Sequence, residues 1–190
     1  MLNPYTQCTP VTFWHFGFSF FRDEKHRDML TEREQQEIED ELKHLPTRQS
    51  GSIDALKIVQ KHRGWVSDEA LDDLSPVLGM SRAELDQVAT FYNLIFRQPV
   101  GRHVIMVCDS VSCWVMGEER IMGMLQRKLG IKPGQTTPDG EFTLLPTVCL
   151  GHCEQAPVLM LDGEIIGNLT EEKLESLIAK ERKSENAKGI

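Results

Sequence analysis

The stretch H-V-I-M-V-C-D-S-V-S-C, residues 103–113, decides the fold of this chain. Its first five residues form a short apolar run that is typical of a buried β-strand. Two cysteines, Cys108 and Cys113, follow with C-x4-C spacing where this strand ends. A second predicted strand, residues 141–148, leads into C-L-G-H-C, which contains Cys149 and Cys153. Each pair of thiols therefore leaves a strand end, and the two pairs lie on the same side of the sheet if the strands are parallel.

Two close cysteine pairs suit a site that binds a metal through four thiolates. Thiolates are soft ligands that favour zinc, Cu(I) and iron–sulfur clusters, and a 2Fe–2S cluster takes four cysteine ligands. The x4 and x3 spacings also fall within the range of structural zinc sites. A disulfide pair is a further alternative, although no secretory signal is evident. A thiol-redox enzyme would more typically contain C-x-x-C, which the sequence lacks.

We interpret the four cysteines as ligands of an iron–sulfur cluster, while the spacing alone leaves zinc open. The fifth cysteine, Cys8, is interpreted as a bystander. His152, between two predicted ligands, is expected to lie near the cluster without binding it, and Gly151 is expected to let the backbone approach the cluster closely.

The composition is that of a soluble globular protein, with 190 residues, 40% hydrophobic and 26% charged. A net charge of −8 argues against nucleic-acid binding and against attraction to an anionic membrane surface. The sequence contains no run of 18 apolar residues, so we expect no direct membrane insertion.

Residues 1–29 are predicted to form a disordered tail. The aromatic run V-T-F-W-H-F-G-F-S-F-F, residues 11–21, is too short to span a bilayer. One interpretation places the translation start at Met29 rather than at Met1; the alternative is an aromatic arm that packs on a partner.

Residues 30–98 are predicted to form a helical bundle. Capping-box patterns begin at Thr31 and at Ser81. The apolar spacing predicts helices over residues 31–45, 53–63, 67–78 and 81–95. The aromatic residues of this part, which we expect to pack in the core or between domains, are Trp65, Phe91, Tyr92 and Phe96.

Residues 99–181 are predicted to form a thioredoxin-like domain with a mixed four-stranded sheet, and residues 182–190 a polar tail. A helix over 115–129 follows the first cysteine pair, and Asp162-Gly163 predicts the turn of a β-hairpin. The fold class is therefore α+β or α/β, with a helical bundle followed by a thioredoxin-like sheet.

The stretch from about residue 54 to 177 resembles the thioredoxin-like 2Fe–2S ferredoxin family, which includes the E subunit of bacterial NADH-quinone oxidoreductase, respiratory complex I. The matching motifs are A-L-K-I-V-Q-K-H-R-G-W-V, V-A-T-F-Y, C-D-S-V-S-C, G-Q-T-T-x-D-G-x-F-T-L and C-L-G-H-C-E-Q-A-P. The resemblance favours a 2Fe–2S cluster over zinc and fills all four ligand positions of the family with Cys108, Cys113, Cys149 and Cys153.

The resemblance implies an electron-transfer subunit that has no activity alone. FMN and NADH would be bound by the partner, the flavin-bearing F subunit of the same complex, and the sequence contains no G-x-G-x-x-G of its own. Asp109 and Glu154 would lower the reduction potential of the cluster, whereas backbone N–H groups of residues 111–113 and 150–153 would raise it. The protein would be cytoplasmic and peripheral to the inner membrane through the complex.

Two other functions stay open at this point. One is a related module of an NAD-linked hydrogenase or formate dehydrogenase, and the other is a structural zinc adaptor. The first would be red-brown like the proposed subunit, whereas the second would be colourless.

Overall fold

The computed structural model describes residues 30–186, with side chains to Arg182. The predicted tail of residues 1–29, its aromatic run and Cys8 lie outside the described residues, as do residues 187–190. Helices come first along the chain and a β-sheet follows. The first four helices are α1 (Glu32–Leu42), α2 (Ser52–Arg63), α3 (Asp68–Leu78) and α4 (Arg82–Phe91), with a 3₁₀ turn at Arg48–Gly51.

Two of these helices begin with the capping boxes that the sequence predicts. The side chain of Thr31 accepts a hydrogen bond from the Glu34 N–H, and the Glu34 carboxylate accepts one from the Thr31 N–H. Ser81 and Glu84 make the same reciprocal pair at α4. The apolar faces of the four helices then form one core, whose fully buried members include Leu56, Val59, Leu71, Leu74 and Leu85.

Helix α4 is shorter than the sequence predicts. It ends at Phe91, because the next residue, Tyr92, has the extended backbone angles φ −92° and ψ 107°. The prediction that Phe91 and Tyr92 are core or inter-domain residues is wrong, since they are 80% and 42% exposed. Both lie beyond the packed face that Leu85 and Ala89 provide. Trp65 and Phe96 are partly buried.

The sheet contains five strands in the order β2-β3-β1-β4-β5. They are β1 (His103–Cys108), β2 (Gln135–Thr136), β3 (Phe142–Thr147), β4 (Leu159–Leu161) and β5 (Glu164–Ile166). β1 and β3 are parallel, and the other three pairs are antiparallel. The predicted mixed sheet and thioredoxin-like order are confirmed, but the predicted count of four strands is wrong. The additional strand, β2, has two residues, too few to leave a periodic pattern in the sequence.

Two helices follow β1 along the chain, α5 (Val111–Val115) and α6 (Glu118–Leu129), and a third, α7 (Glu171–Asn186), follows β5. α6 and α7 pack on the sheet through a second core that includes Ile105, Leu125, Leu144, Leu159 and Leu174. The sequence predicts one helix from Val115, but the helix breaks at Gly117, which has a φ of +97°. The extra helix α5 begins between Cys108 and Cys113 and includes Cys113.

The Asp162-Gly163 turn joins β4 to β5 as predicted, with φ angles of +51° and +92°. Two positive φ angles in sequence define the type I′ turn that matches the twist of a hairpin. Within residues 30–186, no helix is both long and apolar enough to cross a membrane.

Candidate metal centre

The first cysteine pair is buried at the end of the central strand. Cys108 is the last residue of β1 and Cys113 lies in α5, and each is 1% exposed. The backbone is held on both sides. The Cys108 N–H donates to the Val158 carbonyl at 3.2 Å, and the Asp109 N–H donates to the Thr147 carbonyl at 3.1 Å. The position of Cys108 is therefore set by strand pairing.

The second pair is exposed and lies in a loop. Cys149 follows β3, and Cys153 begins the 3₁₀ turn Cys153–Gln155. Their sulfur atoms are 3.8 Å apart. Gly151, which has a φ of +79°, directs its N–H to the Cys149 sulfur at 3.4 Å. The left-handed conformation suits glycine because it has no Cβ. The expectation that Gly151 lets the backbone come close to the site agrees with this contact.

The parallel pairing of β1 with β3 brings the two pairs together. Cys108 lies opposite Thr147 in the register, so both loops leave the same edge of the sheet. The condition that the sequence prediction left open, parallel strands, is met. We call residues 108–116 and 147–155 the cysteine end of the molecule.

Two of the four thiols, Cys113 and Cys149, have pKa values shifted from 9.0 in opposite directions. Burial raises the pKa of Cys113 from 9.0 to about 11, and the neighbouring Cys108 and Cys153 raise it as well. A hydrogen bond with the Val158 backbone lowers this pKa but does not cancel the rise. The Gly151 N–H lowers the pKa of Cys149, helped by Cys153, Cys108 and Ser110. Cys113 and Cys149 thus differ in how readily they form thiolate.

The sulfur geometry suits metal binding. Two thiolates on one tetrahedral metal, with metal–sulfur bonds of about 2.3 Å, place their sulfurs about 3.8 Å apart. Cys149 and Cys153 have this separation. Among residues 30–186, no three His, Cys, Asp or Glu side chains converge on one point where they could hold a single ion.

Acidic groups lie beside the thiols. The pKa of Glu118 is raised by its burial and by the charges of Asp109 and Glu119. The exposed ring of His152 lies 3.5 Å from the Glu154 carboxylate. The sequence identified Asp109, Glu154 and His152 as neighbours of the ligands, whereas Glu118 was missed. Its place at the start of a helix gave no sign of burial.

Large apolar side chains are exposed around the cysteines. Five of those in the described part of the chain flank the pairs: Val111, Trp114, Val115, Met116 and Val148. Their exposed fractions range from 57% to 76%. We call these five residues the apolar rim. Contiguous exposed apolar surface is typical of a site that contacts another protein.

Comparisons with known proteins agree with this geometry. A family model described as thioredoxin-like [2Fe-2S] ferredoxin matches residues 38–182. The NADH-quinone oxidoreductase E subunit of Pseudomonas aeruginosa is 49% identical over 152 residues, 80% of this chain and 92% of that protein. The Escherichia coli K12 protein of the same name is 51% identical over 149 residues, 78% of this chain and 90% of the relative.

A solved structure is also similar. The crystal structure of an NAD+-reducing [NiFe]-hydrogenase in the air-oxidised state superposes with a TM-score of 0.62 at 28% identity. The match covers 70% of this chain and 23% of that chain.

Proposed function

The chain belongs to the thioredoxin-like [2Fe-2S] ferredoxin family, and from this premise we propose that it is the electron-transfer E subunit of an NADH-quinone oxidoreductase. Cys108, Cys113, Cys149 and Cys153 hold one 2Fe–2S cluster, which supplies one-electron transfer when bound. The observation that carries this proposal is the meeting of two thiol pairs at one sheet edge, with the sulfurs of one pair 3.8 Å apart.

The residues around the cysteines tune the site. The Gly151 N–H donates to a ligand sulfur, and such hydrogen bonds stabilise the more negative, reduced state and raise the potential. The carboxylates of Asp109 and Glu154 act in the opposite direction because they repel an added electron. Burial of Cys108 and Cys113 keeps water from one side of the site.

The chain is organised into two parts, each with its own hydrophobic core. Residues 30–98 form the helical bundle, and residues 99–181 form the cluster-binding domain, followed by a polar tail at 182–190. The separate apolar cores of the helices and of the sheet support this division.

The partner is the flavin-bearing subunit of the same complex, which binds FMN and NADH. The apolar rim supports docking of this partner at the cysteine end, because electron transfer needs close approach and interfaces are enriched in aromatic residues and Met. Through this complex the chain is held at the cytoplasmic face of the inner membrane without inserting into it.

The docking proposal is tested by a charge in the rim. Val115→Asp is expected to prevent co-purification of the flavin-bearing subunit while leaving the iron content of the chain unchanged. Ile165→Asp is the matched control, because Ile165 is also exposed but lies on β5, the edge strand away from the cysteines. Equal co-purification with both variants would overturn the docking site.

The cluster is tested by iron, zinc and acid-labile sulfide content, together with the visible spectrum, of anaerobically purified full-length protein. We expect about two irons and two sulfides per chain, with a red-brown colour that dithionite bleaches. Cys113→Ser is expected to lose this content, and Cys8→Ser, the matched control, is expected to keep it. One zinc and no colour after reconstitution with iron and sulfide would overturn the proposal and favour a zinc adaptor.

A second candidate function is a module of an NAD+-reducing hydrogenase, which the structural similarity favours. Identity near 50% over at least 90% of two NADH-quinone oxidoreductase subunits supports the first proposal more strongly. Mass spectrometry of the native complex decides between them. Hydrogenase subunits in the purified complex would contradict assignment to NADH-quinone oxidoreductase.

A further inference from the structure

Thr147 lies between the two cysteine loops. It is the last residue of β3, it is 5% exposed, and it precedes Cys149 by two positions. Its carbonyl accepts the hydrogen bond from the Asp109 N–H at 3.1 Å, and Asp109 follows Cys108 directly. A shift of Thr147 would therefore change the distance between the two cysteine loops.

The side chain of Thr147 accepts a hydrogen bond from a residue that does not belong to the sheet. The Asn93 Nδ2 donates to the Thr147 Oγ1 at 3.0 Å. Asn93 lies two residues after the end of α4, 54 positions away along the chain. The contact is thus a direct link between the helical part of the chain and the cysteine end.

The segment that contains Asn93 is itself firmly attached to the helices. The Gln60 side chain on α2 donates to the Leu94 carbonyl at 2.8 Å and accepts from the Phe96 N–H at 2.6 Å. Ile95 is 5% exposed within the helical core. Asn93 therefore offers its amide from a fixed position rather than from a freely moving loop.

We infer that Asn93 and Thr147 are positioning residues that set the separation of the buried and the exposed cysteine pair. The inference rests on the proposed function, in which the four thiols share one cluster. Hydrogen bonds behind the ligands orient them, and their removal typically weakens metal binding about 10- to 100-fold. The helical part of the chain, which contributes no ligand, thereby supports the cluster through one side-chain hydrogen bond.

The test uses the full chain, purified anaerobically, with Asn93→Ala and Thr147→Val. Both remove the hydrogen bond, and Thr147→Val keeps the shape of the side chain. We expect the iron to transfer to a chelator about 10-fold faster than in the wild type, and the electron paramagnetic resonance spectrum of the reduced protein to change. Thr147→Ser, which keeps the hydroxyl, is expected to restore both properties.

A control on the neighbouring strand β2 separates positioning from general stability. Thr136→Val removes the Thr136–Thr143 hydroxyl contact of 2.7 Å at the opposite end of β3. We expect this variant to lower the melting temperature of the metal-free chain comparably but to release iron at the wild-type rate.

The outcomes are distinct. If Asn93→Ala and Thr147→Val release iron no faster than Thr136→Val, and their spectra are unchanged, the positioning role is wrong and the proposed function stands. If the wild type holds no iron–sulfur cluster, the proposed function and this inference both fail.

Discussion

The helical region, α1 to α4, and the cysteine end differ in whether a buried titratable group has an oppositely charged partner. In the helical region, Glu34 is 1% exposed and is paired with Arg63, whose Nε and Nη2 lie 2.7 and 2.8 Å from its two carboxylate oxygens. At the cysteine end, Cys113 is equally buried among other thiols, and burial raises its pKa to about 11.

The exposed surfaces differ in the same sense. In α1 to α4, Phe91 at the end of α4 is the one large apolar side chain that is exposed, whereas all five side chains of the apolar rim are exposed. A region with satisfied buried charges and a covered core contributes stability. A region with clustered thiols and exposed apolar side chains is suited to a metal and a partner. The comparison predicts that substitutions in the first region change folding, and that substitutions in the second change reactivity.

The largest effect is expected from Glu34→Gln. Removing one charge of a buried ion pair typically costs about 3–5 kcal/mol, because the other charge stays without its counterion. Urea unfolding of the metal-free chain at pH 7 measures this loss. Glu39→Gln is the control, because Glu39 pairs with Arg48 at the surface, where both side chains are 48% exposed. An exposed pair contributes about 1 kcal/mol or less, so similar losses in both variants would contradict the comparison.

The same ion pair makes the helical region sensitive to acid. Burial alone would raise the pKa of Glu34, but the hydrogen bonds from Arg63 and Thr31 outweigh it and lower the pKa from 4.5 to about 2. A lowered pKa stabilises the fold above pH 4.5, and this stability is lost as the pH falls from 4.5 toward 2. The full difference corresponds to about 3 kcal/mol.

Unfolding by urea at a series of pH values from 6 to 2 checks this expectation. The wild type should lose its excess stability over Glu34→Gln in the acidic part of the series. Parallel pH profiles for the two proteins would show that Glu34 titrates normally in the folded state.

A smaller effect, at the cysteine end, separates the two thiol pairs. In metal-free Cys8→Ser protein at pH 7, we expect alkylation of Cys149 to be at least about 100-fold faster than alkylation of Cys113. The two-unit rise in the pKa of Cys113 alone lowers its thiolate fraction by this factor. Its burial slows the reaction further, whereas Cys149 is exposed and has a lowered pKa.

Peptide mass spectrometry over time gives both rates. The pH of half-maximal rate should lie below 9.0 for Cys149 and near 11 for Cys113. Simultaneous modification of the two residues at pH 7 would show that the metal-free cysteine end is open as a whole.

Much of this architecture could be predicted from local sequence patterns. The reciprocal contacts at Thr31 and at Ser81 depend on residues three positions apart, and the Asp162-Gly163 turn depends on two adjacent residues. The meeting of the cysteine pairs was predictable because each pair follows a strand. Strand β2 and helix α5 could not be predicted in this way. β2 has only two residues, and the apolar residues of α5 face solvent rather than the core.

Tertiary contacts account for the rest of the difference. Asn93 and Thr147 are 54 positions apart, and neither lies in a pattern that points to the other. Tyr92 continues the helical spacing of Leu85 and Ala89, which predicts burial, yet α4 ends at Phe91 and both aromatic side chains are exposed. The thiols could therefore be identified from the sequence, but the hydrogen bond that links them to the helices could not.

The smallest effect is expected from Gly151→Ala in the exposed loop. A Cβ at this position meets no atom within 4 Å, so the cost arises from the φ of +79°, about 1 kcal/mol for a residue with a side chain. The loop then relaxes, the N–H moves from the Cys149 sulfur, and alkylation of Cys149 slows by up to about five-fold, the factor equivalent to this energy. Gly134→Ala is the control, with a similar φ of +85° and similar open space but a place beside β2. Alkylation of Cys149 that is unchanged in Gly151→Ala would mean that the Gly151 N–H does not activate the thiol. The lowered pKa of Cys149 would then arise from its other neighbours, Cys153, Cys108 and Ser110.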